Sequence, residues 1–553
     1  MNAPILALAD RDARRRHYAA GHWRDETLYA IVRRHAARTP ERVAVREQTR
    51  RLTYAALLDR AEALADAFAN HGLRSGERVV TWMPNRLECA VTHIACSRGG
   101  QVYCPSPDRN HTAADVVELL RRVKASAFIY QSGFGADSDK DDIGQALEGV
   151  SSLRQVEKLV PVECADEVPF GQFNALSPGQ RPQHWINNDP DIVRYLSFTS
   201  GSTGVPKGVM HSDNSLITVL RSMSADWGFN ADTVTYSLSP ISHGLGISGW
   251  LTSLVNGGEF VLHDLARGAS VLNRIVETSA NYLVGVPTHA IDLLGELRRA
   301  GVPEVSTLKC FRVSGAALPS SVVEGLLSFY VPIQSGYGMS ENCAHQYTRP
   351  SDSAERILQT CGKVCAGYEV RIFDIQDPDR PLAQGEVGQI GGRGASLMLG
   401  YYGDQGATEA AFNSDGWFMT GDLGRQDKDG YLYVTGRMKD LIIRGGHNIN
   451  PGRIEDFVMR HDAVERAAVF PLADERLGER ICLAVMLKPG REASADQILA
   501  RMAEAGLTRY EMPEYFVQLS EIPVMTNGKV RKPDLVKRVK EGEIVPQAIR
   551  LAS

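Results

Sequence analysis

One stretch of the chain, Tyr195 to Met210, changes abruptly from an apolar run to a polar turn rich in glycine. The run from Ile192 to Phe198 has the length and the aromatic content expected of a buried strand. Hydroxyl groups, glycines that permit positive φ, and one lysine follow, and such a turn lets N–H groups converge on an anion. These polar and glycine residues are Thr199, Ser200, Gly201, Ser202, Thr203, Gly204, Lys207 and Gly208.

The turn therefore predicts a phosphate-binding loop, but not a Walker loop. The Walker motif needs G-x-x-x-x-G-K-[ST] before a helix, whereas here Gly201, Gly204 and Lys207 follow another spacing and Pro206 precedes the lysine. A polar hairpin or linker with a chance lysine is the alternative interpretation.

Length and composition favour a soluble globular protein of more than one domain. The chain has 553 residues, of which 43% are hydrophobic and 23% charged. The net charge of −5 offers no general attraction for nucleic acid or an anionic membrane. No run of about twenty apolar residues predicts a membrane span, and the N-terminus lacks the order of a signal peptide. Nine scattered cysteines, an odd number, fit a reducing cytoplasm better than a disulfide framework.

The order of predicted elements indicates an α/β fold. Val79–Trp82 and Val102–Cys104 read as strands on either side of a helix around Cys89 to Cys96, and a strand–helix–strand unit implies a parallel sheet covered by helices. From residue 437 the pattern changes, with a helix at Ile454–Arg460 and strands at Ala467–Phe470 and Ile481–Leu487. The sequence thus predicts a large domain over 1–436 and a small α+β domain over 437–553.

A second motif, Gln334 to Asn342, carries side chains suited to a nucleotide. Tyr337 is a flat aromatic surface that can stack on adenine, Ser340 carries a hydroxyl that can donate to a phosphate, and Glu341 is a hard oxygen ligand of the kind that Mg²⁺ prefers. Gly336 and Gly338 admit close approach of a ligand.

Together with the phosphate loop, four further segments complete a recognisable series: Ser314–Ala317, Thr420–Asp422, Gly436–Ile449 and Thr526–Lys532. In this order the motifs resemble those of the adenylate-forming superfamily, which includes acyl-CoA synthetases, firefly-type luciferases and the adenylation domains of peptide synthetases. The resemblance covers nearly the whole chain, with Ser340 where the family usually has threonine. It implies a large N-terminal domain of helix-covered mixed β-sheets and a small mobile C-terminal lid.

The resemblance also implies roles for residues that spacing alone would leave structural. In the large domain, it implies that His243 gates the acyl pocket, that Gly315 and Ala316 run along adenine and the acyl tail, and that Asp422 and Arg437 hold the ribose. In the lid, it implies that Lys439 is the hinge and that Gly445 and Gly446 border a pantetheine tunnel. It also implies that Lys529 acts in catalysis. His447 stands where many members carry glutamate, and no chemistry is assigned to it.

The implied activity is that of an ATP-dependent acid–thiol ligase. A carboxylate attacks the α-phosphorus of MgATP to give acyl-AMP and pyrophosphate, and the thiol of coenzyme A then displaces AMP. Because Ser239 to Ile247 contains no acidic residue, an amino-acid substrate is disfavoured. We expect a fatty, alicyclic or aromatic acid, since Ala20–Leu28 and Ile443–Gly446 are most similar to medium-chain and cyclohexanecarboxylate ligases.

Two alternatives stay open at this point. An acyl or aryl acid activator could load a carrier-protein thiol through the same first stage. A non-catalytic nucleotide-binding sensor belongs to a different class, and the presence of Lys529, Glu341 and Asp422 argues against it. The expected partners are small molecules, without nucleic acid or a membrane span, and a homodimer is compatible with the resemblance.

Overall fold

The computed structural model describes residues 5–8, 10–105, 109–138, 143–162, 186–199, 206–266, 268–301, 304–316, 318–445, 447–524 and 530–549. In this part of the chain the strands form four sheets. The helices are α1 (Arg11–Ala19), α2 (Leu28–Arg38), α3 (Tyr54–Asn70), α4 (Leu87–Gly99), α5 (Ala113–Val123), α6 (Ile143–Leu147), α7 (Asp213–Trp227), α8 (Gly244–Asn256), α9 (Val271–Thr278), α10 (Pro287–Ala300), α11 (Ser320–Ser328), α12 (Ala354–Gln359), α13 (Gln405–Ala410), α14 (Pro451–Val458), α15 (Ala495–Glu504) and α16 (Lys532–Lys540).

The strands alternate with these helices over the first two thirds of the chain. They are β1 (Val43–Arg46), β2 (Arg51–Thr53), β3 (Arg78–Trp82), β4 (Val102–Pro105), β5 (Ala127–Gln131), β6 (Gln155–Leu159), β7 (Tyr195–Thr199), β8 (Lys207–His211), β9 (Val234–Ser237), β10 (Glu259–Leu262), β11 (Tyr282–Gly285), β12 (Cys310–Ser314), β13 (Ile333–Met339), β14 (Cys343–Tyr347), β15 (Lys363–Val364), β16 (Tyr368–Phe373), β17 (Gly388–Gly394), β18 (Phe418–Gln426), β19 (Leu432–Arg437), β20 (Ile442–Arg444), β21 (His447–Ile449), β22 (Val464–Asp474), β23 (Gly478–Leu487), β24 (Tyr515–Gln518) and β25 (Gln547–Ala548).

The first sheet contains the predicted strand–helix–strand unit. Its order is β6-β5-β3-β4-β7-β8, parallel except for β8 at the edge. Helix α4 joins β3 to β4 and is buried on nearly all sides, as the connection between two parallel strands requires. The prediction of a parallel sheet covered by helices is confirmed.

The second sheet is larger and mixed. Its order is β15-β14-β13-β12-β11-β9-β10-β1-β2, with a parallel centre and antiparallel strands at both ends. Side chains from both large sheets and from α3, α4, α7 and α8 share one hydrophobic core. That core fixes β12 and β13 relative to β7, which places the carboxyl ends of strands from both sheets near one another.

The remaining sheets are smaller. The antiparallel order β16-β17-β18-β19 follows the second sheet along the chain. The fourth sheet, β21-β20-β23-β24-β25 with β22 beside β23, comes wholly from residues after Arg437 and encloses its own apolar core with α14 and α15. The predicted fold class, a large α/β part and a small α+β part, is confirmed. No described helix is both long and apolar enough to cross a bilayer.

Candidate active site

The predicted phosphate loop joins the two strands of a hairpin. Strands β7 and β8 pair antiparallel, and Thr199 stands opposite Lys207 at the end of the hairpin where the loop connects them. Ser200, Gly201, Ser202, Thr203 and Gly204 lie outside the described residues. The positive φ predicted for Gly208 is wrong, because Gly208 lies within β8 and does not occur among the positive-φ glycines. A Cβ on Gly208 would approach Leu196, Phe198 and Tyr402 within 3.0 to 3.2 Å, so close packing accounts for this glycine.

Tyr401 connects the phosphate loop to the second predicted motif. The Lys207 Nζ lies 4.8 Å from the centre of the Tyr401 ring, a cation–π distance. The hydroxyl of the same tyrosine donates to Oε1 of Glu341 at 3.0 Å. The lysine and the carboxylate predicted to meet the phosphates and Mg²⁺ therefore lie on two sides of one aromatic side chain.

Backbone hydrogen bonds hold Tyr401 at this place. The segment from Met398 to Tyr402 runs along β8, with Met210 N–H donating to Gly400 O and Tyr402 N–H to Gly208 O. At its start, Met398 N–H donates to the carbonyl oxygen of Glu341 at 2.7 Å. The segment thus ties the edge of the first sheet to the loop after β13.

The carboxylate of Glu341 has the chemistry that a nucleotide-bound Mg²⁺ requires. Burial raises the pKa of Glu341, while the Tyr401 hydrogen bond and the positive charge of Lys207 oppose the shift. Mg²⁺ is typically held by one or two carboxylates together with substrate phosphates. Among the described residues no cluster of three or more His, Cys, Asp or Glu forms a metal site. The single carboxylate of Glu341 suits an ion that takes its other ligands from substrate phosphates.

A second polar group joins Tyr337, Asp422 and Arg437. The Tyr337 hydroxyl donates to Asp422 Oδ2 at 2.8 Å, and Arg437 Nε lies 3.0 Å from Oδ1 of the same carboxylate. Asp422 and Arg437 are paired across β18 and β19, and Asp422 is only 4% exposed. Asp422 lies 85 positions after Tyr337 and 15 before Arg437 in the sequence, and the folded chain brings the three side chains into contact.

The Ser340 backbone is held by a buried histidine that sequence reasoning did not identify. His211 Nε2 lies 2.6 Å from the Ser340 carbonyl oxygen, and Nδ1 lies 3.0 Å from the Ser215 hydroxyl. Burial lowers the pKa of His211 to about 4, so its ring is neutral at pH 7 and donates one hydrogen while accepting another. The signal in the sequence that could have identified His211 was a polar residue at the end of the apolar strand β8.

A cavity of about 620 Å³ opens beside Ser340. Its lining combines four residues predicted from three separate motifs, namely His243, Gly315, Gly338 and Ser340, with apolar side chains of α7 and α8. His243 is exposed at the start of α8, where it lies at the mouth of the cavity. A Cβ on Gly338 would lie 1.8 Å from the carbonyl oxygen of Cys343, which explains the need for glycine in this wall.

The cavity lining also has polar groups that the motifs did not predict. Arg312, His263 and His289 contribute to its wall, and no Asp or Glu does so among the described lining residues. Ser239 to Ile247 contains no acidic residue, and the same holds for all described residues that line the cavity. Ala316 follows Gly315 at the end of β12 and is exposed.

The predicted residues of the small part lie on exposed turns. Lys439 occupies a single 3₁₀ turn, Met438–Asp440, between β19 and β20. Gly445 has φ +56° and turns β20 into β21, with its N–H donating to Leu477 O. Gly446 and Lys529 lie outside the described residues.

Both parts of the chain match known protein families. The family described as AMP-binding enzyme matches residues 32–402, and the AMP-binding enzyme C-terminal domain matches residues 453–529.

Similar individual proteins cover nearly the full length. A medium-chain fatty-acid–CoA ligase from Escherichia coli strain K12 is 28% identical over 98% of this chain and 96% of its own. A salicylyl-CoA synthase / salicylate adenylyltransferase from a Streptomyces species is 29% identical over 95% and 96%. An o-succinylbenzoate coenzyme A synthetase from Bacillus subtilis, solved with AMP, gives a TM-score of 0.76 at 25% identity, covering 91% of this chain and 97% of that one.

Proposed function

The chain belongs to the AMP-binding enzyme family, and from that premise we propose that it is an ATP-dependent ligase that joins a carboxylic acid to coenzyme A through acyl-AMP. One observation carries the proposal. The motif from Gly336 to Glu341 has Gly338 and Ser340 on the cavity, while Tyr337 and Glu341 bond to Asp422 and Tyr401. An acid in the cavity would then lie next to the α-phosphate of a nucleotide bound at those side chains.

In the first stage, one carboxylate oxygen of the acid bonds to the α-phosphorus of ATP, and the bond to the bridging oxygen of pyrophosphate breaks. Catalysis of such a transfer depends on positioning and charge neutralisation. We assign the β- and γ-phosphates to the loop from Thr199 to Lys207, and the ribose to Asp422 and Arg437. Bound Mg²⁺, for which Glu341 is the ligand proposed, would neutralise phosphate charge. We propose that Lys529 neutralises the negative charge shared by the substrate carboxylate and the α-phosphate.

In the second stage, the sulfur of coenzyme A bonds to the acyl carbon, the bond from that carbon to AMP breaks, and the thiol proton is released. We propose that the small domain turns about Lys439 between the stages, removing Lys529 and presenting Gly445 and Gly446 to pantetheine. We propose 1–436 as the large domain and 437–553 as the lid, with Arg437 at the end of β19 still paired with Asp422 and the hinge two residues further on. The 3₁₀ turn at Met438–Asp440 supports a hinge there, because Lys439 is exposed and none of the three residues is buried.

The acid is proposed to be of medium size. The Escherichia coli relative is named for medium-chain fatty acids and the Bacillus subtilis protein for o-succinylbenzoate. A cavity of about 620 Å³ suits a chain or ring acid of that range. An amino acid is disfavoured, because no described lining residue could pair with its ammonium group.

Two further proposals concern the surroundings of the enzyme. The eight described cysteines are free thiols, which supports a reducing compartment such as the cytoplasm. A homodimer stays a prediction, which the mass of the native protein in solution tests.

Acid-dependent exchange of labelled pyrophosphate into ATP, measured over a panel of fatty, alicyclic and aromatic acids, tests the first stage. We expect exchange with at least one class of acid, and none without acid. Absence of exchange with every acid would favour a nucleotide sensor instead.

The acceptor is tested separately. Thioester formation with free coenzyme A supports the ligase, whereas transfer to a phosphopantetheinyl carrier protein but not to free coenzyme A supports the carrier-loading alternative. The Streptomyces relative is named for both CoA synthase and adenylyltransferase activities, which is why both acceptors belong in the assay.

A further inference from the structure

One arginine in the cavity wall is buried without a carboxylate partner. Arg312 lies in the middle of β12, between Val284 of β11 and Gln334 of β13, and its relative exposure is 0%. A guanidinium remains protonated in proteins, and a buried charge is costly unless it is paired. The described residues include no Asp or Glu within ion-pair distance of it, so its charge calls for an explanation.

The hydrogen bonds of Arg312 are weak and incomplete. Its Nη1 donates to the Met223 sulfur at 2.9 Å, and a thioether is a weak acceptor. Its Nε and Nη2 are buried and have no hydrogen-bond partner among the described residues. These two nitrogens form one edge of the planar fork, the edge that matches the two oxygens of a carboxylate.

That free edge lies beside the predicted nucleotide and acyl motif. A Cβ placed on Gly336 would be 3.5 Å from Nη2 and 3.8 Å from Nε. Glycine at this position keeps a side chain off both unpaired nitrogens, and the carbonyl oxygen of Gln346, 3.3 Å from the same point, is the nearest atom there. Arg312 also lines the cavity, together with Leu220 and Cys343.

We propose that Arg312 is a specificity-determining residue, which binds a second carboxylate on the acid substrate, away from the carboxylate that is activated. The substrate class is then a dicarboxylic acid, activated at one end and anchored at the other by a two-point hydrogen bond. This proposal rests on the proposed ligase function and narrows its substrate. It also explains why the wall holds an arginine and no described acidic residue, since an acidic neighbour would compete with the substrate for the guanidinium.

A structural role is the competing explanation. Gln334 is the neighbour of Arg312 across β12 and β13, and both atoms of its buried amide are also without partners. A small rearrangement could pair Gln334 with Arg312. In that case Arg312 would support the sheet, and its removal would affect all substrates alike.

The experiment compares acids of equal length with one or two carboxylates. For each of a C4 to C10 series of diacids, the matching monocarboxylic acid and the diacid monomethyl ester, kcat/KM for pyrophosphate release is measured with wild type, Arg312→Met and Lys309→Met. The methionine keeps the length and apolar contacts of arginine but removes the fork. Lys309 is exposed, directly before β12, and is the matched control.

We expect wild type to prefer the best diacid over its monoacid by about 100-fold or more, because a site built for hydrogen bonding rejects an analogue that lacks the group. Arg312→Met should lose that preference chiefly through a higher KM for the diacid, and should accept the monoacid at least as well as wild type. Lys309→Met should match wild type.

Three outcomes would overturn the proposal: equal use of monoacids and diacids by wild type, a monomethyl ester as good as the diacid, or an equal loss on all acids in Arg312→Met. If no acid releases pyrophosphate, the ligase function fails by itself. The role of Arg312 is then tested by ligand-induced shifts in melting temperature. Diacids should stabilise wild type but not Arg312→Met, and monoacids should stabilise neither protein. The absence of this difference would reject the proposed role of Arg312.

Discussion

The large and the small part of the molecule hold their proposed site residues in different ways. Before residue 437, Asp422 and Glu341 are fixed by hydrogen bonds and ion pairs with Tyr337, Arg437 and Tyr401. After it, the described residues Lys439 and Gly445 are exposed on short turns. The tight packing of the small part lies inside its own sheet, around β22 and β23.

This difference indicates a division of labour. Side chains that are held before a ligand arrives can bind it without paying for ordering at that moment. Groups on exposed turns gain their contacts only after a movement. We infer that nucleotide binding belongs to the large part and that the small part decides which of the two stages proceeds.

The largest expected effect separates the two stages in the small part. Lys529→Ala should lower acyl-AMP formation by about 100- to 1000-fold, the usual effect of removing one charge-stabilising donor from a transition state. Thioester formation from supplied acyl-AMP should stay within about threefold, because the lysine acts only before that stage. Both half-reactions are measured on the same preparation. An equal loss of activity in both half-reactions would contradict the proposed division of roles between the large and the small part.

The next effect tests the large part. Asp422→Asn keeps the shape and an acceptor for Tyr337 but removes the charge that pairs with Arg437. Loss of a charge-assisted hydrogen bond to ligand should raise KM for ATP by roughly 10- to 100-fold. Asp429→Asn is the control, since Asp429 pairs with Arg356 on an exposed hairpin. An unchanged KM for ATP in Asp422→Asn would show that nucleotide binding does not depend on this group.

A smaller effect is expected at the hinge. Lys439→Pro fixes φ at residue 439 and restricts the residue before it. Thioester formation should fall on the order of tenfold, while pyrophosphate release in the first stage should stay close to wild type. Lys439→Ala removes the same side chain without restricting the backbone and should leave both stages nearly unchanged. Equal behaviour of the two variants would argue against a hinge here.

The smallest effect concerns the stability of the large part in acid. Burial lowers the pKa of His93 and His345 to about 3 and of His211 and His289 to about 4. Each ring is neutral when folded, and the unfolded chain takes up its proton below pH 6.5. The free energy of unfolding is therefore highest above pH 6.5 and falls with pH from there towards 4, by about 1 kcal/mol per histidine per pH unit.

His93→Phe isolates one of these contributions. His93 stacks on Tyr103 at 4.8 Å, and neither ring nitrogen has a hydrogen-bond partner among the described residues, so phenylalanine keeps the packing and removes the titration. The melting temperature of the full chain, measured between pH 7 and pH 5, should fall less steeply in the variant. An identical slope would contradict the assignment.

The sequence predicted the fold class for a physical reason. The strand–helix–strand pattern is local, and β3, α4 and β4 form where the apolar periodicity indicates. Motifs such as Gly336–Glu341 carry side chains whose chemistry can be recognised one at a time.

What the sequence could not predict depends on distant contacts. Tyr401 and His211 act through Glu341 and Ser340, which lie 60 and 129 positions away along the chain. Arg312 looks like any strand residue until its burial and its unpaired nitrogens are known. The positive φ expected of Gly208 failed because packing against Tyr402, rather than a turn, requires glycine at that position.

A single-turnover experiment on the wild-type chain tests the central claim most directly. With enzyme in excess over ATP, and with an accepted acid but no coenzyme A, we predict that acyl-AMP and pyrophosphate form together and that acyl-AMP stays bound. Addition of coenzyme A should then convert it to the thioester and AMP in equal amounts. Formation of ADP and phosphate, or of thioester without acyl-AMP beforehand, would contradict the account.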